Sequence, residues 1–91
     1  MNKGLLISKK ANDNIRFLMR IKDLGIKDMA NRTGISVSVF GRKLRSLEPK
    51  WTLLEAALVS QVLGVKMDVI FLSDSIPIGI IEENGINKIS V

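Results

Sequence analysis

A chain of 91 residues allows one domain and one core, and a hydrophobic content of 46% is too high for a chain disordered throughout. The absence of Cys, His and Tyr removes disulfides, thiol nucleophiles, imidazole bases and the common zinc ligands, so neither enzymatic activity nor a cofactor or metal is expected. Of the net charge of +5, residues 1–50 carry +8 (12 Lys/Arg against 4 Asp/Glu) and residues 51–91 carry −3 (2 against 5), and a basic field gathered in one half suits a polyanion such as nucleic acid.

The chain starts MNKGLLISKK. Its apolar run is far shorter than the roughly 7–15 residues of a secretory core or the about 20 of a membrane span, so a cytoplasmic protein without a membrane partner is expected. Leu5-Leu6-Ile7 reads as a strand or a frayed end. From Asn12 the spacing changes: Ile15, Leu18, Met19 and Lys22 recur at i, i+3, i+4 and i+7, which predicts a helix over 13–24. Asn12 or Asp13 is its cap, and Gly25 is placed at its C′ position.

A second, short helix is predicted over 27–33, with Met29 and Ala30 turned inward. Gly34 provides a left-handed turn, Ile35 plugs it, and Ser36 caps a third helix over 36–46. Phe40 and Leu44 point to the core with Val39 and Leu47 beside them, leaving Val37, Ser38, Gly41, Arg42 and Arg45 on the other side. Pro49 excludes the α conformation at Glu48. Thr52 and Glu55 form a capping box for a fourth helix that ends at Gly64, with Leu54, Ala57, Leu58, Val62 and Leu63 as its apolar stripe. A fifth helix is predicted over 66–73, packing through Val69, Ile70 and either Leu72 or Phe71. Trp51, Met19 and Met29 read as core.

After Ser75 the pattern alternates. Asn84-Gly85 is a strong hairpin signal, and a turn there sets Ile80 opposite Ile89 and Ile78 opposite Val91, all on one face. Residues 76–91 are therefore expected to form a β-hairpin, with Leu5-Leu6-Ile7 as a candidate third strand and Glu82 and Glu83 at a solvated tip. Ile78, Ile80, Ile89 and Val91 are the expected dimerisation residues.

A short helix with Ala30, Gly34 four positions on, an apolar Ile35, a Ser36 cap and a second helix describe a helix-turn-helix, whose second helix enters the DNA major groove while the first braces it. At this point DMANRTGISVSVFGRKL, followed by WTLLEAALVSQVLGVKMDVIF, resembles the Cro/repressor-type (XRE-like) helix-turn-helix domains of phages and bacterial regulators. The small Cro-like proteins of phages of Gram-positive bacteria, with patterns like GIS-x-S-x-F-x-RKL, are the most similar group. The resemblance covers residues 13–73 of a single domain, 1–91. It implies a mainly α fold, a five-helix lambda-repressor-like bundle, here with a C-terminal β-hairpin, and operator binding as a dimer. It places the motif's structural positions on Ala30, Gly34, Ile35, Phe40 and Leu44. The glutamine that many relatives have at the start of the second helix is replaced near Ile26 or Lys27.

The expected function is a sequence-specific regulator of double-stranded DNA acting as a homodimer. The alternative is an antirepressor or antitoxin-like module that binds a protein partner through the same fold. For base readout, Arg42 can bond guanine O6 and N7, Ser38 several bases, Val37 a thymine methyl, and Gly41 permits close backbone approach. Lys27, Arg32, Ser36, Lys43, Arg45 and Lys50 are phosphate candidates. Each also has a plainer reading: Ser36 as a cap alone, Gly41 as a tolerated glycine, the cations as solvated charges.

Overall fold

Capping and turn chemistry divide the chain into helices, and the computed structural model describes residues 7–81. These are mainly helical: α1 (Ala11–Ile21), α2 (Ile26–Thr33), α3 (Val37–Arg45), α4 (Leu53–Leu63), α5 (Met67–Phe71) and a single turn, α6 (Ile78–Ile81). No strand occurs among the described residues.

Ser8 fixes the start of α1. Its hydroxyl accepts the Lys10 N–H (3.0 Å) and donates to Asp74 Oδ1 (3.1 Å), while its N–H donates to the Phe71 carbonyl (2.7 Å). The helix thus begins two residues earlier than expected, and neither Asn12 nor Asp13 caps it. Its end also differs. Asp23 adopts the left-handed conformation (φ 57°), its N–H donates to Arg20 O (3.2 Å), and the Leu24 N–H donates to Met19 O (2.8 Å). These are the paired bonds of a Schellman ending, so the helix stops before Gly25. That glycine is extended and opens α2 instead, where its N–H donates to Asp28 Oδ2 (2.8 Å).

Gly34 takes the expected left-handed turn (φ 83°) after α2. Thr33 Oγ1 donates back to Met29 O (2.7 Å) and accepts the Ile35 N–H (3.1 Å), so the turn is hydrogen-bonded and Ile35 is held against the core. Ser36 Oγ accepts the Val39 N–H (3.2 Å) and caps α3. Thr52 and Glu55 form the expected reciprocal box at α4, and Gly64 (φ 69°) ends it.

One core results. Ile15 and Leu18 from α1, Met29 from α2, Phe40 from α3, Val59 and Leu63 from α4, and Ile70 and Phe71 from α5 are fully enclosed. Trp51 sits between Phe40 (centroids 5.3 Å apart) and Phe71 (6.3 Å), in tilted and edge-on contacts of the kind aromatic quadrupoles favour. α1 packs on α3 and α5, and α4 on α2 and α5.

Three expectations about packing are corrected. The buried side of α4 is Ala56, Val59, Ser60 and Leu63, and Leu54 and Ala57 face outward. Leu47 does not pack beside Phe40: it is 95% exposed, in the turn where Ser46 Oγ donates to Glu48 O. No hairpin strand forms over the described part of 76–91: Ile76 is anchored in the core and Pro77, whose ring fixes φ near the helical value, leads into α6 with the Ile80 N–H on the Pro77 carbonyl (3.0 Å). Ile80 packs against the core and Ile78 is exposed. Ile7 also packs against the core without forming a strand. Leu5, Leu6, Glu82, Glu83, Asn84, Gly85, Ile89 and Val91 lie outside the described residues.

Candidate nucleic-acid interface

α3 is gripped at both ends. Its N-terminus is fixed by the Gly34 turn and the Ser36 cap. Its C-terminal carbonyls would be orphaned by the abrupt exit into extended backbone at Ser46, and side chains of α1 receive them. Asn12 Nδ2 donates to Lys43 O and Ser46 O, both at 3.0 Å, and Arg16 Nη2 donates to Leu44 O. Asn14 does the same for the end of α5, donating to Ile70 O and Ser73 O at 2.9 Å. α1 is therefore a brace that sets how far α3 projects.

Phe40 and Leu44 fill the inner side of α3, and the 3.6-residue period carries Val37, Ser38, Arg42 and Arg45 outward, all exposed. Arg42 and Arg45 form no hydrogen bond or ion pair among the described residues. Lys27 and Arg32 on α2 and Lys50 before α4 are likewise exposed and without such a partner there. Of these five cations two lie on α3, two on α2 and one in the segment between α3 and α4.

Two expected site residues fall elsewhere. Gly41 is buried rather than presented: the Arg45 guanidinium lies over it, so close that a Cβ built on Gly41 would meet Nη1 at 3.0 Å. Lys43 turns inward, where its Nζ donates to Glu55 Oε1 with both side chains less than one-fifth exposed. Burial pushes the Glu55 carboxyl up, but the hydrogen bonds from Lys43 and from the Thr52 N–H, together with the Lys43 charge, outweigh it and hold the group below the ordinary glutamate range. Lys43 thus ties α3 to the first turn of α4 instead of offering a free charge.

No family model, no curated protein and no solved structure matches this chain. The site therefore rests on its own chemistry. Among the described residues no helix is long and apolar enough to cross a membrane. An open cleft of about 430 Å³, lined by Asp13, Arg16, Phe17, Arg20, Asp74 and Ile76 among others, includes none of Lys27, Arg32, Arg42, Arg45 and Lys50.

The positioning residues Asn12, Arg16 and Glu55 were not singled out by the sequence pattern for these roles. A signal for Asn12 existed: it stands three and seven positions before Ile15 and Met19, on the apolar stripe itself, where a polar residue must find internal partners.

Proposed function

We propose that this protein is a sequence-specific double-stranded DNA-binding regulator of the Cro/repressor type. In this reading α2 and α3 serve as a helix-turn-helix within a lambda-repressor-like bundle. The observation that carries it is the outer side of α3, where Val37, Ser38, Arg42 and Arg45 stand exposed on a helix fixed at both ends. A helix with its side chains is about 10–12 Å across and the major groove about 12 Å wide, so α3 fits with these residues against base edges. Arg42 is the guanine reader, Ser38 a second polar contact and Val37 a thymine-methyl contact. Lys27, Arg32, Arg45 and Lys50, with the capped N-terminus at Ser36, bind phosphate and set the register. Such a regulator acts in the cytoplasm and takes a two-fold operator as a homodimer with half-sites about 34 Å apart.

Selection from a random duplex library near physiological salt tests the reading, because weak phosphate attraction is largely suppressed there. The expected result is enrichment of a palindromic site. Arg42→Ala should then lose about 1–3 kcal/mol of discrimination at one base position, whereas Arg45→Ala should weaken all sequences alike. A folded protein that enriches no sequence would overturn it. The second reading, a module that binds another protein, is favoured by the exposed leucines of α4.

A further inference from the structure

Gly41 is the one glycine inside α1 to α5. A glycine in a helix interior lowers the folding equilibrium constant roughly fivefold relative to alanine, so something else must explain its presence. The backbone does not: Gly41 is helical, and the glycines with positive φ among the described residues are Gly34 and Gly64. Core packing does not either. Outside its own helix backbone and chain neighbours, the three atoms nearest to a Cβ at position 41 all belong to Arg45: Nη1 at 3.0 Å, Cζ at 3.7 Å and Nη2 at 3.8 Å. The space that a side chain at 41 would need is held by one guanidinium.

Helix geometry accounts for that placement. Helical side chains lean toward the N-terminus, so each covers the turn before its own, and Arg45 lies back over the turn that holds Gly41. At 100° per residue Gly41 falls within the arc of Val37, Ser38, Arg42 and Arg45, the exposed side of α3. The guanidinium is thereby drawn from the last turn of α3 onto the turn before it. It forms no hydrogen bond or ion pair among the described residues, so its N–H groups are left for a ligand. Arg42 is exposed as well, but the residue four positions before it is Ser38, which carries a side chain.

We infer that Gly41 is a positioning residue: the room left by its missing side chain seats the Arg45 guanidinium on the outer side of α3 and holds it ready for a phosphate of duplex DNA. Arginine loses more rotamer freedom on ordering than most side chains. A side chain already ordered in the free protein removes part of that cost from binding. The seat stands on the geometry of the free protein, whereas its use rests on the DNA-binding reading.

Nitrogen-15 relaxation of the arginine Nε–H groups in the full chain without DNA reads the seat, since it reports motion on the ps–ns scale. The Arg45 Nε–H should be more ordered than that of Arg42. Gly41→Leu, which leaves the guanidinium no room, should bring the two level. Leucine and alanine are both better helix formers than glycine, so the fold should persist by circular dichroism. Affinity for the selected duplex at fixed salt then reads the use. Gly41→Ala should weaken binding about two- to tenfold while Arg45 is present, and should change nothing in an Arg45→Ala background. An Arg45 as mobile as Arg42 in the parent would overturn the inference. So would a Gly41→Ala affinity that is unchanged, or reduced equally with and without Arg45. An ordered Arg45 in a protein that enriches no DNA sequence would keep the seat and remove the DNA-binding reading instead.

Discussion

The indole N–H of Trp51 donates to Asn12 Oδ1 across 2.7 Å in the interior of the fold, and the Nδ2 of the same amide donates to Lys43 O and Ser46 O at 3.0 Å. Indole is a donor only, which fixes the amide's orientation and leaves both its N–H groups for the two carbonyls. One side chain of α1 thus closes the end of α3 and locks the ring that joins Phe40 to Phe71. Asn12→Ala orphans a buried indole N–H and the carbonyls at the end of α3, at about 1–3 kcal/mol for each orphaned group. Urea unfolding should show a loss of at least about 2 kcal/mol; a change within about 0.5 kcal/mol, typical of a surface site, would mean the clamp contributes nothing.

Ser60 presents the opposite case. Its hydroxyl is buried on α4 with no hydrogen-bond partner among the described residues. Removing an unsatisfied polar atom takes away a desolvation cost and loses no bond. Ser60→Ala should therefore be neutral or stabilise by up to about 1 kcal/mol, visible as an unchanged or raised midpoint in chemical denaturation. A clear loss of stability would reveal a partner for that hydroxyl.

Asn12, Leu54 and Gly25 mark where reading the sequence stops. Helix periodicity located α2 to α5 to within two residues and α1 to within three, because apolar spacing and the caps at Ser36 and Thr52 are local signals. It set Val37, Ser38, Arg42 and Arg45 outward for the same reason. It failed on α4, where Leu53, Leu54, Ala56, Ala57, Leu58 and Val59 make every side apolar and the period carries no phase. It failed at Gly25 because Asp23, a residue tolerated in the left-handed region, ended the helix first. Lys43 looked like its neighbours Arg42 and Arg45 because its partner Glu55 is 12 residues away and only tertiary packing brings them together.

The Lys43–Glu55 pair has a pH signature. The Glu55 carboxyl lies below its ordinary value of 4.5 in the folded protein, so its contribution to stability is fully present above that value and is lost as pH falls through the folded one. Parent and Glu55→Gln should differ most in unfolding free energy near neutral pH, and their curves should converge on acidification below about 4.5. Curves that stay parallel across that window would show that Glu55 does not titrate with folding.

The same pair also divides the cations on the proposed DNA face. Lys27, Arg32, Arg42, Arg45 and Lys50 are exposed and carry no internal ion pair among the described residues, whereas Lys43 is committed to Glu55. If Lys27, Arg32, Arg45 and Lys50 each neutralise one phosphate, the slope of log K against log salt should approach about −3.6 per protomer. Arg45→Ala or Lys50→Ala should make it shallower by about 0.9 each. Lys43→Ala should lower stability and leave the slope unchanged, as read by filter binding at several salt concentrations. A fall in slope for Lys43→Ala equal to that for Arg45→Ala would mean that Lys43 leaves Glu55 on binding. The tie between α3 and α4 would then belong to the free protein alone.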